Sequence, residues 1–414
     1  MPHRFDFDRP CNPPFDHVRV APNDDSALPE QLRKRVAVFA VHDGQAIPKR
    51  FRIRPDGSPV VDPKALERQF VKMRDWGANV VAHELAAALG TPTYMTCRVA
   101  RSLLDFNRFP GSTPPESHDP LEALAINPLF GEALDHHEKT DLLESFYDPI
   151  SEAMEEFVAD SLIGISIHTY DAEHESKNKR AHVSLINLAL SYQRDAQLPY
   201  GVFDPMYPDH LAESSCSRIL RDRMSLNLER TGFRVTHNHP YALPDGSVEM
   251  RAQVWHFFRF VRRRFEQKYP ETLGDPAYER VFTMLSDTNL RLAEAEEMRS
   301  FLHRYRRVSD ERRPAMLASL AAYKHIFDFL QRSNVVQDYR RSPERPSSVG
   351  LEVRKDLVCS FDPETGRPLP TSAKQRRVAQ QVAQAIAGSI RTYFATDREV
   401  YETKAPEVQL PPAE

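Results

Sequence analysis

Two short runs of the chain are apolar at almost every position, a pattern typical of strands covered on both faces in a parallel sheet. The first is VAVFAV, Val36–Val41, and the second is LIGISIH, which ends at His168. The segments YMTCRVARSLLDF, FRVTHNHPY and SVEMRAQVWHFF also indicate strands. Helix-period segments alternate with these strands, which predicts an α/β fold with a mostly parallel or mixed central sheet flanked by helices.

The segment PKALERQFVKMRDWGANVVAHELAAALG has a helical period, with a predicted break at Asp75–Gly77. From Asp275 onward most segments are helical in period, except a loop from Arg340 to Pro370 that is rich in Pro, Ser and Arg. We therefore predict three regions. They are an irregular N-terminal arm (1–30), a main domain (31–272) and a helical C-terminal extension with a loop near 340–370 (273–414).

Composition limits the classes of partner. The chain has 414 residues and a net charge of −4, which gives no electrostatic reason to bind nucleic acid or an anionic membrane. No uncharged stretch is long enough to cross a bilayer, so we expect a cytoplasmic protein. The four cysteines are scattered without a C-x-x-C pair, so any metal would need His and carboxylate ligands.

Histidines stand at the ends of the two apolar strands. His42 follows the first and His168 closes the second, and the carboxyl ends of parallel strands line the crevice where α/β enzymes bind ligands. Two imidazoles from neighbouring strands, with one carboxylate, could bind one divalent ion and leave a position for water. The alternative is that both are hydrogen-bonded structural histidines of the core.

Four polar residues crowd the segment ARSLLDFNRFPG, namely Arg101, Asp105, Asn107 and Arg108. One interpretation is a guanidinium held by an aspartate and directed at a substrate carboxylate, which the arginine fork matches bidentately. The other is a solvated strand edge with an Asx turn before Pro110.

A second polar row is predicted in SVEMRAQVWHFF. If this segment is a strand, Glu249, Arg251, Gln253 and Trp255 lie on one face at period two. The row would then place a carboxylate, a cation and an amide beside the site, although the polar side of an antiparallel strand gives the same pattern.

In their order along the chain, these segments resemble the N-formylglutamate amidohydrolase family, zinc hydrolases related in fold to the zinc carboxypeptidases. The resemblance covers roughly 36–266 and is carried by VHDGQAIP, RDWGANVVAHELAAALG, ARSLLDFNR, GISIHTYD and GFRVTHNHPY. ARSLLDFNR is the most specific of the five, because it is similar to the family's Ser-Arg-(three residues)-Asp-x-Asn-Arg signature.

The resemblance implies a zinc site formed by His42, Asp75 and His168, with Asp43 or Glu84 as other sources of the carboxylate. It further implies the residues that bind a small substrate carrying carboxylates. These are Arg101, Asp105, Asn107, Arg108, Asn238, Arg251 and Gln253.

The general base expected from the resemblance is a glutamate in a Gln-x-Glu segment near Gln253. That position is Trp255 here, so Glu249 is taken as the base.

The function implied is hydrolysis of a formyl or acyl amide on an acidic amino acid, such as N-formylglutamate. One alternative is a zinc carboxypeptidase-like or peptidoglycan-type amidase. Another is a catalytically lapsed module that binds partners through its helical end. The oligomeric state is left open.

Overall fold

The centre of the molecule is a seven-stranded sheet in the order β1-β3-β2-β4-β7-β5-β6. The computed structural model describes residues 5–397 except 24–27, 115, 118, 174–176, 200–201, 304–306 and 365. The outer ends of the predicted arm and extension, 1–4 and 398–414, lie outside the described residues. The strands are β1 Phe15–Arg19, β2 Val36–Ala40, β3 Thr93–Cys97, β4 Ile163–Tyr170, β5 Val183–Ile186, β6 Val235–His237 and β7 Ser347–Arg354.

The middle of the sheet is parallel and its margins include antiparallel pairs. β3, β2, β4 and β7 run in the same direction, whereas β1 is antiparallel to β3, and β5 is antiparallel to β7. β6 is parallel to β5. The prediction of a mixed α/β sheet is confirmed, and the carboxyl ends of β2, β4 and β7 meet at one edge.

Helices surround this sheet. The α-helices are α1 Glu30–Arg33, α2 Pro63–Met73, α3 Ala78–Leu89, α4 Pro128–Ala133, α5 His136–Leu142, α6 Asp148–Val158, α7 Leu190–Asp195, α8 Arg218–Arg230, α9 Val248–Lys268, α10 Pro276–Ser286, α11 Ala293–Leu302, α12 Arg313–Arg332, α13 Val335–Arg341, α14 Lys355–Val358 and α15 Ala373–Thr392. Shorter 3₁₀ segments are Lys49–Phe51, Asp209–Glu213 and Pro270–Thr272, and π-helical segments are Leu143–Tyr147 and Tyr393–Asp397.

The central strands β2 and β4 are buried on both faces, as their continuous apolar runs predict. Along β2, Val38 and Ala40 pack with α3, α8 and α15, while Ala37 and Phe39 belong to the cluster on the other face with α2 and α6. A third apolar cluster joins α9 to α10, α11, α12 and α13. The helical C-terminal region is therefore packed on the body of the protein through α9, and α15 covers one face of the sheet itself.

Three elements differ from the sequence predictions. SVEMRAQVWHFF is the start of helix α9, not a strand, because Ser247 caps it and its buried apolar residues recur at helical spacing. The loop predicted from Arg340 to Pro370 contains β7, whose Val349, Leu351 and Val353 alternate at strand period. The arm predicted as irregular contains β1, which adds an edge to the sheet.

Two further predictions can be compared with the helices and strands. The break at Asp75–Gly77 is confirmed, since α2 ends at Met73 and α3 begins at Ala78. The strand in YMTCRVARSLLDF stops at Cys97, and the residues after it form turns. The division of the chain into domains at residue 272 stays a prediction.

Among the residues that the structure describes, no helix combines the length and apolar character that crossing a bilayer requires. The cytoplasmic location expected from the sequence stays a prediction.

The helix α8 allows a matched test of the packing. Leu220 is fully buried against the sheet, while Leu226 on the same helix is 53 % exposed. Leu220→Ala is expected to lower the free energy of unfolding by about 2–5 kcal/mol, because it removes buried methyl groups and leaves a cavity. Leu226→Ala is expected to change it by less than about 0.5 kcal/mol. Urea unfolding measures both, and equal losses would contradict this packing.

Candidate active site

Three ligand-type side chains from separate parts of the chain meet at the carboxyl edge of the sheet. His42 lies two residues beyond β2, His168 lies on β4, and Asp75 lies in the break between α2 and α3. The backbone N–H of Asp75 donates to the carbonyl of His42 at 3.0 Å, which fixes the break to the strand end. All three residues are buried. The fold thus supplies two imidazoles and a carboxylate at one point, as the metal prediction requires.

The distances between the three ligand atoms form a nearly regular triangle. His42 Nδ1 is 3.1 Å from His168 Nδ1 and 3.3 Å from Asp75 Oδ2, and His168 Nδ1 is 2.9 Å from the same oxygen. Ligands of one tetrahedral zinc, at about 2.0–2.2 Å from the ion, lie roughly 3.3–3.5 Å from each other. The residues His42, Asp75 and His168 therefore fit a single divalent ion.

On each histidine ring, the hydrogen-bond partner of the outer nitrogen, Nε2, orients the ring so that Nδ1 faces the triangle. His42 Nε2 donates to Asp105 Oδ1 at 2.8 Å, because an ionised carboxylate only accepts hydrogen bonds. His42 Nδ1 therefore carries a free lone pair. His168 Nε2 lies 2.8 Å from the hydroxyl of Ser166, and its Nδ1 faces the triangle in the same way. Such partners orient metal-binding histidines and raise their basicity.

Asp105 is itself held from two sides. Arg101 Nε donates to Asp105 Oδ2 at 3.0 Å, and the backbone N–H of Asn107 donates to Oδ1 at 2.9 Å. Although burial raises the pKa of Asp105, the charge of Arg101 and the hydrogen bond from His42 hold it well below its usual range. Arg101 also lies 3.5 Å from Asp75 Oδ1. The guanidinium thus links the aspartate of the triangle to the aspartate behind it.

The pKa values of His168 and Asp75 are shifted in opposite directions by their contact with each other. Burial lowers the pKa of His168, but the hydrogen bond and the charge of Asp75 raise it to about 9 overall. Burial raises the pKa of Asp75, and the hydrogen bond from His168, together with the neighbouring His42, then lowers it far below the usual range. Either a proton or a cation is therefore favoured between these atoms, and metal binding displaces that proton.

Two more carboxylates lie beside the triangle. Glu352 on β7 is the register partner of His168 on β4, so their side chains leave the same face of the sheet. Its Oε2 is buried without a hydrogen-bond partner, and burial, with Asp75, raises its pKa to about 7 against the opposing charges of His168 and Arg101. Glu249, at the start of α9, is 1 % exposed, and both of its carboxylate oxygens lack a partner. Glu249 also acts electrostatically on His168.

The predicted substrate residues Asn107 and Arg108 lie near the triangle. Asn107 Nδ2 is 3.4 Å from His168 Nε2, and Asn107 Oδ1 accepts from the N–H of Val248 at 3.4 Å, which ties the start of α9 to the site. Arg108 donates to the carbonyl of Pro120 and has no ion pair within 4.0 Å to a described carboxylate.

The other predicted residues have different surroundings. Asn238 Oδ1 accepts the N–H groups of Asn187 and Leu188 and so holds a turn after β5. Arg251 bonds to Ser151 on α6, and Gln253 donates to the carbonyl of Pro346.

The expectation that Glu249, Arg251, Gln253 and Trp255 share one face is wrong, because residues two apart on a helix point about 200° apart. Asp75 keeps its place as the expected third ligand. Asp43, an alternative source of the carboxylate, pairs with Arg74 and not with the histidines. Glu84 is half-buried on α3 and is not part of the triangle.

Glu352 was missed by sequence reasoning. It lies in the segment predicted as a loop, and the Pro-, Ser- and Arg-rich composition before it hid the strand. The signal was present in SSVGLEVR, where apolar residues alternate over the length of a strand.

Comparison with known proteins gives one family. The model of the N-formylglutamate amidohydrolase family matches residues 35–268, more than half of the chain. The chain is similar in structure to the N-formylglutamate amidohydrolase of Ralstonia eutropha JMP134, at 14 % identity over 92 % of this chain and 98 % of that one, with a TM-score of 0.47. It is also similar to a gene product of Agrobacterium tumefaciens, at 14 % identity over 87 % and 92 %, with a TM-score of 0.41. No curated protein matches the chain.

The triangle predicts which histidines bind a metal. His42→Ala and His168→Ala are each expected to abolish stoichiometric zinc binding, because two of three ligands cannot hold the ion against a chelator. His136→Ala, at the exposed start of α5, is the control and is expected to bind one zinc per chain. Elemental analysis after dialysis measures this, and full zinc content in both site variants would rule out the triangle as the metal site.

The residue behind His42 is predicted to tune affinity. Asp105→Asn keeps an oxygen for His42 Nε2 but removes its charge, so zinc affinity is expected to fall about 10- to 100-fold. Competition with a fluorescent chelator measures the affinity. Asp222→Asn on α8, whose side chain is 54 % exposed, is the matched control. An unchanged affinity for Asp105→Asn would show that this hydrogen bond does not support the metal site.

Proposed function

The chain belongs to the N-formylglutamate amidohydrolase family, and we propose that it is a zinc-dependent amidohydrolase acting on an acidic amino acid that carries a formyl or acyl group on nitrogen. The observation that carries the proposal is the buried triangle of His42, Asp75 and His168, together with a carboxylate on the next strand. Two histidines and one carboxylate are a common catalytic zinc set, which leaves a position for water.

Zinc bound here would act as a Lewis acid and lower the pKa of water, which the hydrolysis of an unreactive amide requires. The protein's own residues prepare that site. Asp105 keeps the hydrogen of His42 on Nε2, so that Nδ1 is free to coordinate. Arg101 neutralises part of the charge of Asp75 and Asp105. This combination supports a strongly bound, rigidly oriented metal centre.

Glu352 is the residue we propose as general base. Its side chain leaves the sheet beside His168, its Oε2 has no competing partner, and a pKa raised to about 7 suits proton exchange near neutral pH. In the reaction, Glu352 takes a proton from the attacking water as the C–O bond forms. The C–N bond then breaks, and the proton passes to the leaving nitrogen. For a formyl substrate, the products are formate and the free amino acid.

Glu249 is the second candidate for this proton transfer. Both of its oxygens are buried without partners, but it has no backbone link to a metal ligand as direct as the strand pairing of Glu352 with His168. The interaction-module alternative relied on Trp255 at the position of the base. Trp255 lies on helix α9, and the carboxylates of Glu249 and Glu352 lie beside the triangle, which supports the hydrolase over that alternative.

Arg108 is proposed to bind a substrate carboxylate. It follows Asn107, which contacts His168, and it has no ion pair to a described carboxylate within 4.0 Å. Binding at this guanidinium would hold the scissile amide against the metal site, a contribution to catalysis by position alone. Arg251 and Gln253 are not included, because they are bonded to Ser151 and Pro346.

The activity is tested with N-formyl-L-glutamate and N-acetyl-L-glutamate beside short peptides. We expect release of free glutamate by the zinc-loaded protein, loss of this activity after chelation, and its return when zinc is added. Cleavage of peptides but not of the N-acyl amino acids would favour the carboxypeptidase-like alternative. A protein that binds zinc stoichiometrically yet hydrolyses none of these compounds would overturn the proposal.

The base is tested by two isosteric variants. Glu352→Gln is expected to lower kcat by about 10²- to 10⁴-fold, because glutamine cannot accept the proton of the attacking water. Zinc content should remain one per chain, since Glu352 is not a ligand. Glu249→Gln is the matched comparison and is expected to lose less activity. The reverse order of losses would assign the proton transfer to Glu249.

A further inference from the structure

Arg180 lies at the rim of the site, beyond the end of β4. On that strand Ser166, His168 and Tyr170 share one face, and Tyr170 is two residues, about 6.6 Å, beyond the metal-binding histidine. The guanidinium carbon of Arg180 is 5.4 Å from the centre of the Tyr170 ring and 5.2 Å from that of Tyr241. Two aromatic rings thus hold one cation above the strand end.

Three other cations near the end of β4 are already paired. Arg101 contacts Asp75 and Asp105, Arg354 binds both carboxylate oxygens of Asp356, and Lys355 lies 3.2 Å from Asp171. Each pair leaves little positive charge for a ligand.

Arg180 differs from them. Its Nη1 reaches the backbone carbonyl of Asp171 at 3.3 Å, and its side chain hydrogen-bonds to Tyr241. Its Nε is buried without a partner, and none of the described carboxylates lies within 4.0 Å of the guanidinium. A half-buried guanidinium of this kind keeps a positive charge that is not neutralised by a described carboxylate and can attract an anion.

Tyr241 connects Arg180 to the reacting end of the site. The pKa of Tyr241 is raised by burial, and Glu352 raises it further, whereas Arg180 and Arg101 lower it. Glu352 likewise raises the pKa of Tyr170. Both rings around Arg180 are therefore within electrostatic range of the proposed base.

We propose that Arg180 binds the substrate carboxylate that is remote from the scissile amide, and so selects substrates with an acidic side chain. In an N-formylglutamate the formyl carbon and the side-chain carboxyl carbon are about 6 Å apart when extended. This length is of the same order as the two-residue step from His168 to Tyr170, the strand residue whose ring contacts Arg180. The inference rests on the proposed amidohydrolase function, and it adds a substrate residue that is not part of the family-like segments.

The experiment compares a charged and a neutral side chain of the same shape. The wild-type zinc protein is expected to prefer N-formyl-L-glutamate over N-formyl-L-glutamine by about 10- to 100-fold in kcat/KM, as for loss of a charge-assisted hydrogen bond. Arg180→Gln should remove this preference by raising KM for the glutamate substrate, while kcat/KM for the glutamine substrate stays the same. Arg180→Lys should retain part of it, since it keeps the charge without the planar fork. Arg218→Gln removes an exposed arginine near Glu213 and is the control for net charge.

A binding measurement separates this inference from the proposed reaction. Titration calorimetry with glutarate and with its monoamide, which are not cleaved, measures the carboxylate contact in the absence of turnover. Weaker glutarate binding by Arg180→Gln supports the inference even if no N-acyl amino acid is hydrolysed. An Arg180→Gln protein with unchanged glutarate affinity, or with an unchanged preference for N-formyl-L-glutamate, would overturn it.

Discussion

Three lone pairs that face one point inside a protein are the constraint on which this site depends. His42 Nδ1, His168 Nδ1 and Asp75 Oδ2 lie 2.9 to 3.3 Å apart and are withdrawn from water, so without a positive charge between them they repel. The surrounding groups strengthen this demand. Asp105 fixes the hydrogen of His42 on the far nitrogen, and Ser166 partners the far nitrogen of His168. The site is therefore organised for a cation before any substrate arrives.

The fold meets this constraint by bringing distant segments to one sheet edge. β2 and β4 are parallel neighbours, so His42 and His168 leave the sheet at the same end. β7 pairs with β4 along eight residues, although about 180 residues separate them in the chain, and this pairing brings Glu352 beside His168. The segment between them includes α9, whose first turn adds Glu249. Strand β7 and helix α9 thus add Glu352 and Glu249 to the side chains around the triangle.

The sequence predicted those parts of the site that follow directly from strand ends. His42 and His168 could be found because each ends an apolar run, and Asp75 because the resemblance marked it. Only its position in a helix break brings Asp75 to the two histidines. Glu352 was not found from the sequence, because the composition of its segment, a short strand after a Pro- and Arg-rich stretch, resembles that of a loop. Glu249 was predicted as a site residue from a strand that the structure replaces with helix α9. The helix nevertheless buries Glu249 beside the triangle. Long-range pairing, as between β4 and β7, leaves no local signal.

The two ends of the site carry opposite charges, and this difference connects the geometry of the site to the choice of substrate. Beside the triangle, carboxylate oxygens of Glu352 and Glu249 are buried without hydrogen-bond partners, and they suit proton transfer. Farther out along β4 lies the Arg180 cation, which is held between two tyrosine rings and has no ion pair to a described carboxylate. A substrate with its negative charge at the reacting carbon would meet repulsion, whereas one with a neutral amide and a remote carboxylate would meet complementary charge at both ends. This arrangement of charges agrees with the proposed substrate, an N-acylated acidic amino acid whose amide lies at the triangle and whose side-chain carboxylate lies toward Arg180.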